Sequence, residues 1–152
     1  MPCYWHNASE TGVVLRRHGA GGPWLYTGDL GTMDDDGYLF VVERKKDVIK
    51  TSGYQVWPRE IEEVLATHPA VAEVGVAGIP DAVKGEAPKA WVVLRSGTSV
   101  TADELRSYCR EKLAPYKVPT HVEFRADLPK NLIGKVLRRM LTTETTPGHG
   151  AP

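Results

Sequence analysis

The stretch from Val41 to Leu65, VVERKKDVIKTSGYQVWPREIEEVL, constrains the fold more than any other part of the chain. Five consecutive charged residues, Glu43, Arg44, Lys45, Lys46 and Asp47, stand between two short apolar runs, so a solvated linker interrupts strand-like sequence. Such an interruption reads as a boundary between two bodies. Past it, Val48 and Ile49 resume a strand, Thr51-Ser52-Gly53-Tyr54 turns it, and Pro58 falls where the first turn of a helix tolerates a residue without an N–H. Ile61, Val64 and Leu65 form an apolar stripe on that helix, and Glu60, Glu62 and Glu63 are expected to face solvent. Linker, hairpin and helix in this order open a compact unit.

Before the linker the pattern is weaker. Residues 1–23 are broken by Gly19, Gly21 and Gly22 and are expected to be loops, with order hinted only at Gly12–Leu15. Trp24–Thr27 is a short β-like run, Asp34-Asp35-Asp36-Gly37 a turn by composition, and Tyr38–Val42 a returning strand. A hairpin and loops are too little to be stable alone, so residues 1–43 read as the trailing edge of something larger.

After the hairpin at Val48–Trp57 and the helix that Pro69 stops, strands are expected at Ala72–Ala77, Lys89–Leu94 and Val122–Phe124. Pro80–Pro88 is rich in breakers and reads as a loop. Thr101 and Glu104 make a capping box for a helix whose apolar face carries Leu105, Tyr108, Cys109 and Leu113. A last helix begins at Val136–Leu141 with Arg138 and Arg139 pointing outward, and the Thr, Gly and Pro of 142–152 suit a disordered tail. The expectation is an α/β (α+β) fold: a three-stranded sheet, a hairpin and flanking helices over 48–141, a linker at 44–47, and a β-rich remnant at 1–43.

Composition excludes several functions. Nineteen Lys and Arg balance nineteen Asp and Glu over 152 residues, so no overall field gathers nucleic acid or an anionic membrane. Cys3 and Cys109 are far apart and in no CxxC pattern, which argues against zinc or a disulfide framework and points to the reducing cytoplasm. Neither a signal peptide nor an apolar run of membrane-spanning length is expected. Five scattered histidines offer no metal-ligand spacing, and no GxSxG elbow supports nucleophilic catalysis.

Three local features could carry chemistry. Asp29, in Tyr26-Thr27-Gly28-Asp29, either caps a turn or accepts the hydroxyls of a ribose; Arg44, fifteen residues on, is either a solvated side chain or a fork beside the same sugar. Lys130-Asn131-Leu132-Ile133-Gly134-Lys135 resembles a phosphate loop superficially but lacks the leading glycine, the spacer and the hydroxyl residue of a Walker A sequence. What it leaves is a glycine-containing loop that presents Lys135 as a mobile positive charge.

The wording and order of WLYTGDLGTMDDDGYLFVVERKKDVIKTSGYQVWPREIEEVL, GIPDAVKGEAPKAWVV and LPKNLIGKVLRR resemble the C-terminal part of the adenylate-forming acyl-CoA synthetases, over about Tyr4–Leu141. The resemblance implies ATP and CoA as substrates with a fatty acid or other carboxylic acid. It implies that Asp29 holds the ATP ribose with Arg44 and that Lys46 is the hinge of a small domain rotating between two half-reactions. It further implies that Gly53 lies in the loop that approaches the CoA pantetheine, and that Lys135 contacts the carboxylate and α-phosphate during adenylation. Magnesium is expected, with ligands in a large N-terminal domain that these residues do not include. Glu43 departs from the family's usual Gly or Asp, and Ile133 from its Ser or Thr; the latter tilts toward the fatty-acyl branch. Self-association through the exposed remnant is a further expectation. The alternatives are a non-enzymatic interaction or CoA/nucleotide-binding module, and an amino-acid-activating domain of a peptide synthetase.

Overall fold

The computed structural model describes residues 3–143. The backbone divides into two compact units, Met1–Lys46 and Asp47–Pro152. Of the expected disordered tail, Thr142 and Thr143 close the last helix, and the rest lies outside the described residues.

In the first unit the expectation of loops through residue 23 fails. Helix α1 (Ala8–Val14) forms because the Asn7 side chain accepts the Glu10 N–H at 3.1 Å, a cap that an Asn followed three residues later by Glu could have signalled. Strands β1 (Leu15–Arg17) and β2 (Pro23–Leu25) make one antiparallel ribbon, and β3 (Asp29–Met33) and β4 (Leu39–Arg44) make another. The Asp34–Gly37 turn forms as its composition demands: Asp34 Oδ1 accepts the N–H groups of Asp36 and Tyr38, and Gly37 takes φ +85°. The charged run is not wholly a solvated linker, because Glu43 and Arg44 extend β4. Glu43 is 8% exposed, and its carboxylate accepts the Arg44 N–H. Among the described residues of this unit no apolar side chain is buried, while Met33, Leu39 and Val41 are 68%, 78% and 65% exposed. The unit has no hydrophobic core of its own.

The second unit holds the core. Strands β5 (Ile49–Thr51) and β6 (Tyr54–Val56) form the expected hairpin with Ser52 and Gly53 both at positive φ, the backbone of the primed two-residue turns whose twist matches the strands. Helix α2 (Pro58–Ala66) starts on its proline, and α3 (Ala102–Arg110) carries the full capping box between Thr101 and Glu104. Strand β7 (Val71–Asp81) runs antiparallel to β8 (Gly85–Leu94), and β9 (His121–Phe124) lies parallel to β8; α4 (Arg138–Thr143) ends the described chain.

The mixed α/β architecture is as expected, but the sheet is larger. The hairpin joins the three strands in one five-stranded sheet through Thr51 opposite Gly85. Pro80–Pro88 is not a loop: the β7–β8 ladder continues through both prolines, whose two missing donors weigh little in a long antiparallel pairing. Asp81 tightens the turn by accepting the N–H groups of Val83 and Lys84; with Lys84 the stronger influence, these bonds hold its carboxyl below the usual range.

Strand β8 is buried from Ala87 to Val92 because the sheet is covered on both faces. Alternation sends Ala90 and Val92 to one face, where they join Ile61 and Leu65 of α2 and Leu105 and Cys109 of α3. Trp91 goes to the other face with Ala77, Leu128 and Leu141. Gly75 allows this second layer to close: a Cβ there would stand 2.9 Å from the Leu141 side chain and 3.1 Å from that of Val136.

Burial raises the Cys109 thiol to about 11, so it is held neutral and shielded, whereas Cys3 is exposed. Alkylation of the native protein is therefore expected to modify Cys3 at once and Cys109 only when the core opens. Ile61→Ala, which removes about 2–5 kcal/mol of packing, should accelerate Cys109 labelling at least ~30-fold. Rapid labelling of Cys109 in the unaltered protein would contradict this core.

Candidate functional site

Asp29 and Arg44 are direct cross-strand partners at the open end of the β3–β4 ribbon, which brings together two residues fifteen apart in sequence. Arg44 Nε lies 3.3 Å from Asp29 Oδ1, with the side chains 54% and 32% exposed. A pair so exposed contributes little to stability. Its effect is to hold a carboxylate and a guanidinium side by side, with oxygens and N–H groups open to a further polar ligand. Gly28, at φ +79°, turns the chain into β3, and its carbonyl accepts the Lys45 N–H at 2.8 Å. An open hollow of about 680 Å³ in this unit is lined by Trp24, Tyr26, Asp29 and Lys45 among others. A flat aromatic wall beside a carboxylate and a cation suits a ligand with a ring, hydroxyls and anionic groups.

The division between the two units falls between Lys46 and Asp47, in the Lys45–Asp47 turn, and the Lys46 side chain is exposed. Gly53 sits at φ +83° in the β5–β6 turn, where a Cβ would meet nothing within 4 Å. The turn itself therefore requires glycine, since a left-handed backbone costs other residues roughly 1–2 kcal/mol. Open space at its Cα leaves room for a ligand to approach.

The loop that carries Lys135 is built by Asn131. Its Oδ1 accepts the N–H groups of Ile133 and Lys135 at 3.1 and 2.8 Å, its carbonyl accepts that of Gly134, and its own N–H donates to the Lys135 carbonyl. Gly134 supplies φ +80°, and Lys130 pairs with Val136 across the base. The Asn-x-x-Gly spacing is a turn signal readable in the sequence, and the comparison with a phosphate loop overlooks it. Leu132 and Ile133 at the tip are 107% and 85% exposed.

The structure separates the two lysines of this loop. Lys130 Nζ is 2.7 Å from Glu73 and 3.2 Å from Asp127; these carboxylates, Glu73 first, raise its pKa and fix it as a strut. Lys135 is exposed, and among the described residues no carboxylate pairs with it. One lysine is committed to the fold, and the other is an unneutralised charge on a preset backbone.

Three expectations about side-chain direction are corrected. Glu60 does not simply face solvent but takes Lys117 at 2.6 Å; Glu62 takes Arg138 at 2.6 Å; and Arg138, expected to point outward, is 20% exposed and also reaches Asp47 at 3.5 Å. Each carboxylate is drawn inward by a cation supplied from a distant part of the chain, which helix periodicity cannot register.

A second hollow, of about 410 Å³, lies in the second unit and is walled by Lys84, Arg106 and Arg110 with Pro115 and Val118. Among the described residues no group of three or more His, Cys, Asp or Glu side chains is placed to hold a metal ion, so the described residues supply no donor set for magnesium. Nor is any described helix long and apolar enough to cross a membrane.

Known proteins similar in sequence and geometry agree with one another. The model of the AMP-binding enzyme C-terminal domain matches residues 60–135. The long-chain-fatty-acid–CoA ligase of Bacillus subtilis is 48% identical over 149 residues, 98% of this chain and 26% of the relative. The 2-succinylbenzoate–CoA ligase of Geobacillus kaustophilus is 43% identical over 138 residues, 91% of this chain and 27% of the relative. Among solved structures, ATP-bound MatB from Rhodopseudomonas palustris superposes with a TM-score of 0.85 at 34% identity, over 93% of this chain and 27% of that one. The chain thus spans about a quarter of the length of these relatives and corresponds to their C-terminal part. It belongs to the AMP-binding enzyme family, as a member of its C-terminal domain class.

Proposed function

We propose that this chain supplies the mobile C-terminal machinery of an ATP-dependent acid–thiol ligase acting on fatty acids. The observation that carries the reading is the contrast between Lys130, neutralised by Glu73 and Asp127, and Lys135, exposed on a loop preset by Asn131. In the first half-reaction a carboxylate oxygen attacks the α-phosphorus of ATP and the bond to pyrophosphate breaks. Negative charge spreads over the phosphoryl oxygens in the transition state, and the Lys135 ammonium stabilises it there more than in the ground state. Asp29 accepts the ribose hydroxyls, and Arg44 beside it holds the sugar edge. In the second half-reaction the CoA sulfur attacks the acyl carbonyl, AMP leaves with the C–O bond, and the thiol proton passes to solvent.

Lys135 has no part in that second step and must withdraw while the Gly53 turn comes in. Lys46 at the unit boundary is the pivot in this reading. Magnesium, when bound, screens the phosphates, and the roles of Lys135, Asp29, Arg44, Lys46 and Gly53 do not depend on it. The exposed Met33, Leu39 and Val41 support a first unit that is covered by further protein, either the large domain of a ligase or a second copy. Two free cysteines, one of them buried, support a reducing, cytoplasmic setting.

The test is to graft this chain in place of the matching quarter of the Bacillus subtilis ligase. The graft is expected to release pyrophosphate with a fatty acid and ATP, whereas the 152-residue chain alone does not. Lys135→Ala should slow adenylation on the order of 10²–10³-fold while leaving thioester formation from supplied acyl-adenylate within about tenfold. Equal loss in both halves would refute the role of Lys135.

A second reading, a binding module for a phosphorylated nucleotide such as CoA, is favoured by the hollow walled by Lys84, Arg106 and Arg110. Calorimetric titration of the chain alone with CoA, ATP and AMP separates the two: a preference for one at micromolar affinity would support the module, and uniformly weak binding the ligase part.

A further inference from the structure

We propose that Arg138 is a positioning residue that makes the Lys135 loop and the exit of the linker one rigid piece. The proposal rests on the reading of Lys135 as the adenylation lysine and extends it to a residue three positions on. Arg138 opens α4, and its planar fork meets Glu62 of α2 along two parallel bonds, Nε to Oε1 at 3.0 Å and Nη2 to Oε2 at 2.6 Å. Its third nitrogen, Nη1, lies 3.5 Å from Asp47 Oδ2, the first residue of the second unit. Glu62 is itself held, because Oε1 also accepts the Val76 N–H of β7 at 2.8 Å. The three side chains are 20%, 19% and 27% exposed, so salt and water screen them much less than a surface pair.

The path from Arg138 back to Lys135 has no slack. Leu137 N–H donates to Pro129 O at 2.8 Å, Val136 pairs with Lys130, and Asn131 closes the loop on the Lys135 backbone. Toward the linker, Asp47 is one residue past Lys46. A displacement of the backbone at Lys46 is thereby carried to Lys135 through a single guanidinium, and Glu62 anchors both to α2 and the sheet. Lysine in its place, a point charge on a flexible stem, could meet one carboxylate but not hold the fork on Glu62 and Asp47 together.

Two measurements test this. Amide hydrogen exchange on the full chain reads the coupling without activity. Arg138→Gln is expected to accelerate exchange about tenfold at both Asn131–Leu137 and Asp47–Ile49 while leaving Ala90–Val92 of β8 unchanged, and Arg138→Lys is expected not to restore either segment. No change, or a uniform rise that includes β8, would overturn the proposal and leave Arg138 a stability contact. In the grafted ligase, Arg138→Gln should lower kcat for adenylation about tenfold with KM for ATP within about twofold, because a misplaced catalytic group costs rate rather than binding. Asp47→Asn should lose less, and the double variant no more than Arg138→Gln; additive losses would overturn the shared role. If Lys135→Ala leaves adenylation untouched, the reading of Lys135 fails by itself, and the exchange experiment still decides the coupling.

Discussion

Burial of β8 on both faces is the constraint from which the second unit follows. A strand with Ala90 and Val92 on one side and Trp91 on the other needs a covering layer on each, and α2 with α3 supplies only the first. The second comes from the segment around Leu128, Val136 and Leu141, so the loop between Lys130 and Val136 is seated by the core rather than left as a tail. Gly75 takes part by omission: a side chain there would drive Val136 and Leu141 off the sheet. The site of Lys135 is thus a consequence of packing, with the loop backbone supported from below and its charge presented outward.

Half-buried ion pairs then set how the pieces register. Lys117 with Glu60, Arg138 with Glu62, Lys130 with Glu73 and Lys89 with Glu123 each join segments distant in sequence. Lys89 is 8% exposed and lies over the Trp91 ring as well, while Glu123 answers both it and Arg125; these partners, Lys89 first, hold its carboxyl below the usual range. Pairs in such positions specify one arrangement more than they add stability. Against that background a cation left without a carboxylate stands out.

Local signals in the sequence were legible because their causes are local. The Asp34–Gly37 turn, the Ser52-Gly53 hairpin, Pro58 at a helix start and the Thr101–Glu104 box each depend on residues within a few positions of one another, and each forms as read. Prolines at 80 and 88 misled because ladder pairing across β7 and β8 outweighs two lost donors. Glu62 and Arg138 misled for a related reason: they lie 76 residues apart, and neither position carries a mark of the other. Asp29 and Arg44 were singled out separately, and only the β3–β4 register makes them one feature. The five charges at Glu43–Asp47, read as one linker, divide between the end of a strand, a turn, and an anchor on Arg138.

Two half-reactions need two orientations about Lys46, and the proposed function stands or falls on that requirement. Proline at this position would fix φ near −65° and restrict the residue before it, favouring one orientation over the other without touching Lys135, Asp29 or Gly53. The most direct measurement is the rate of each half-reaction in a Lys46→Pro graft, adenylation by pyrophosphate release and thioester formation from supplied acyl-adenylate. A pivot at Lys46 predicts that one half keeps its rate within about tenfold and the other falls on the order of 10²-fold or more. Two rates that fall together, or two that do not change, would contradict it.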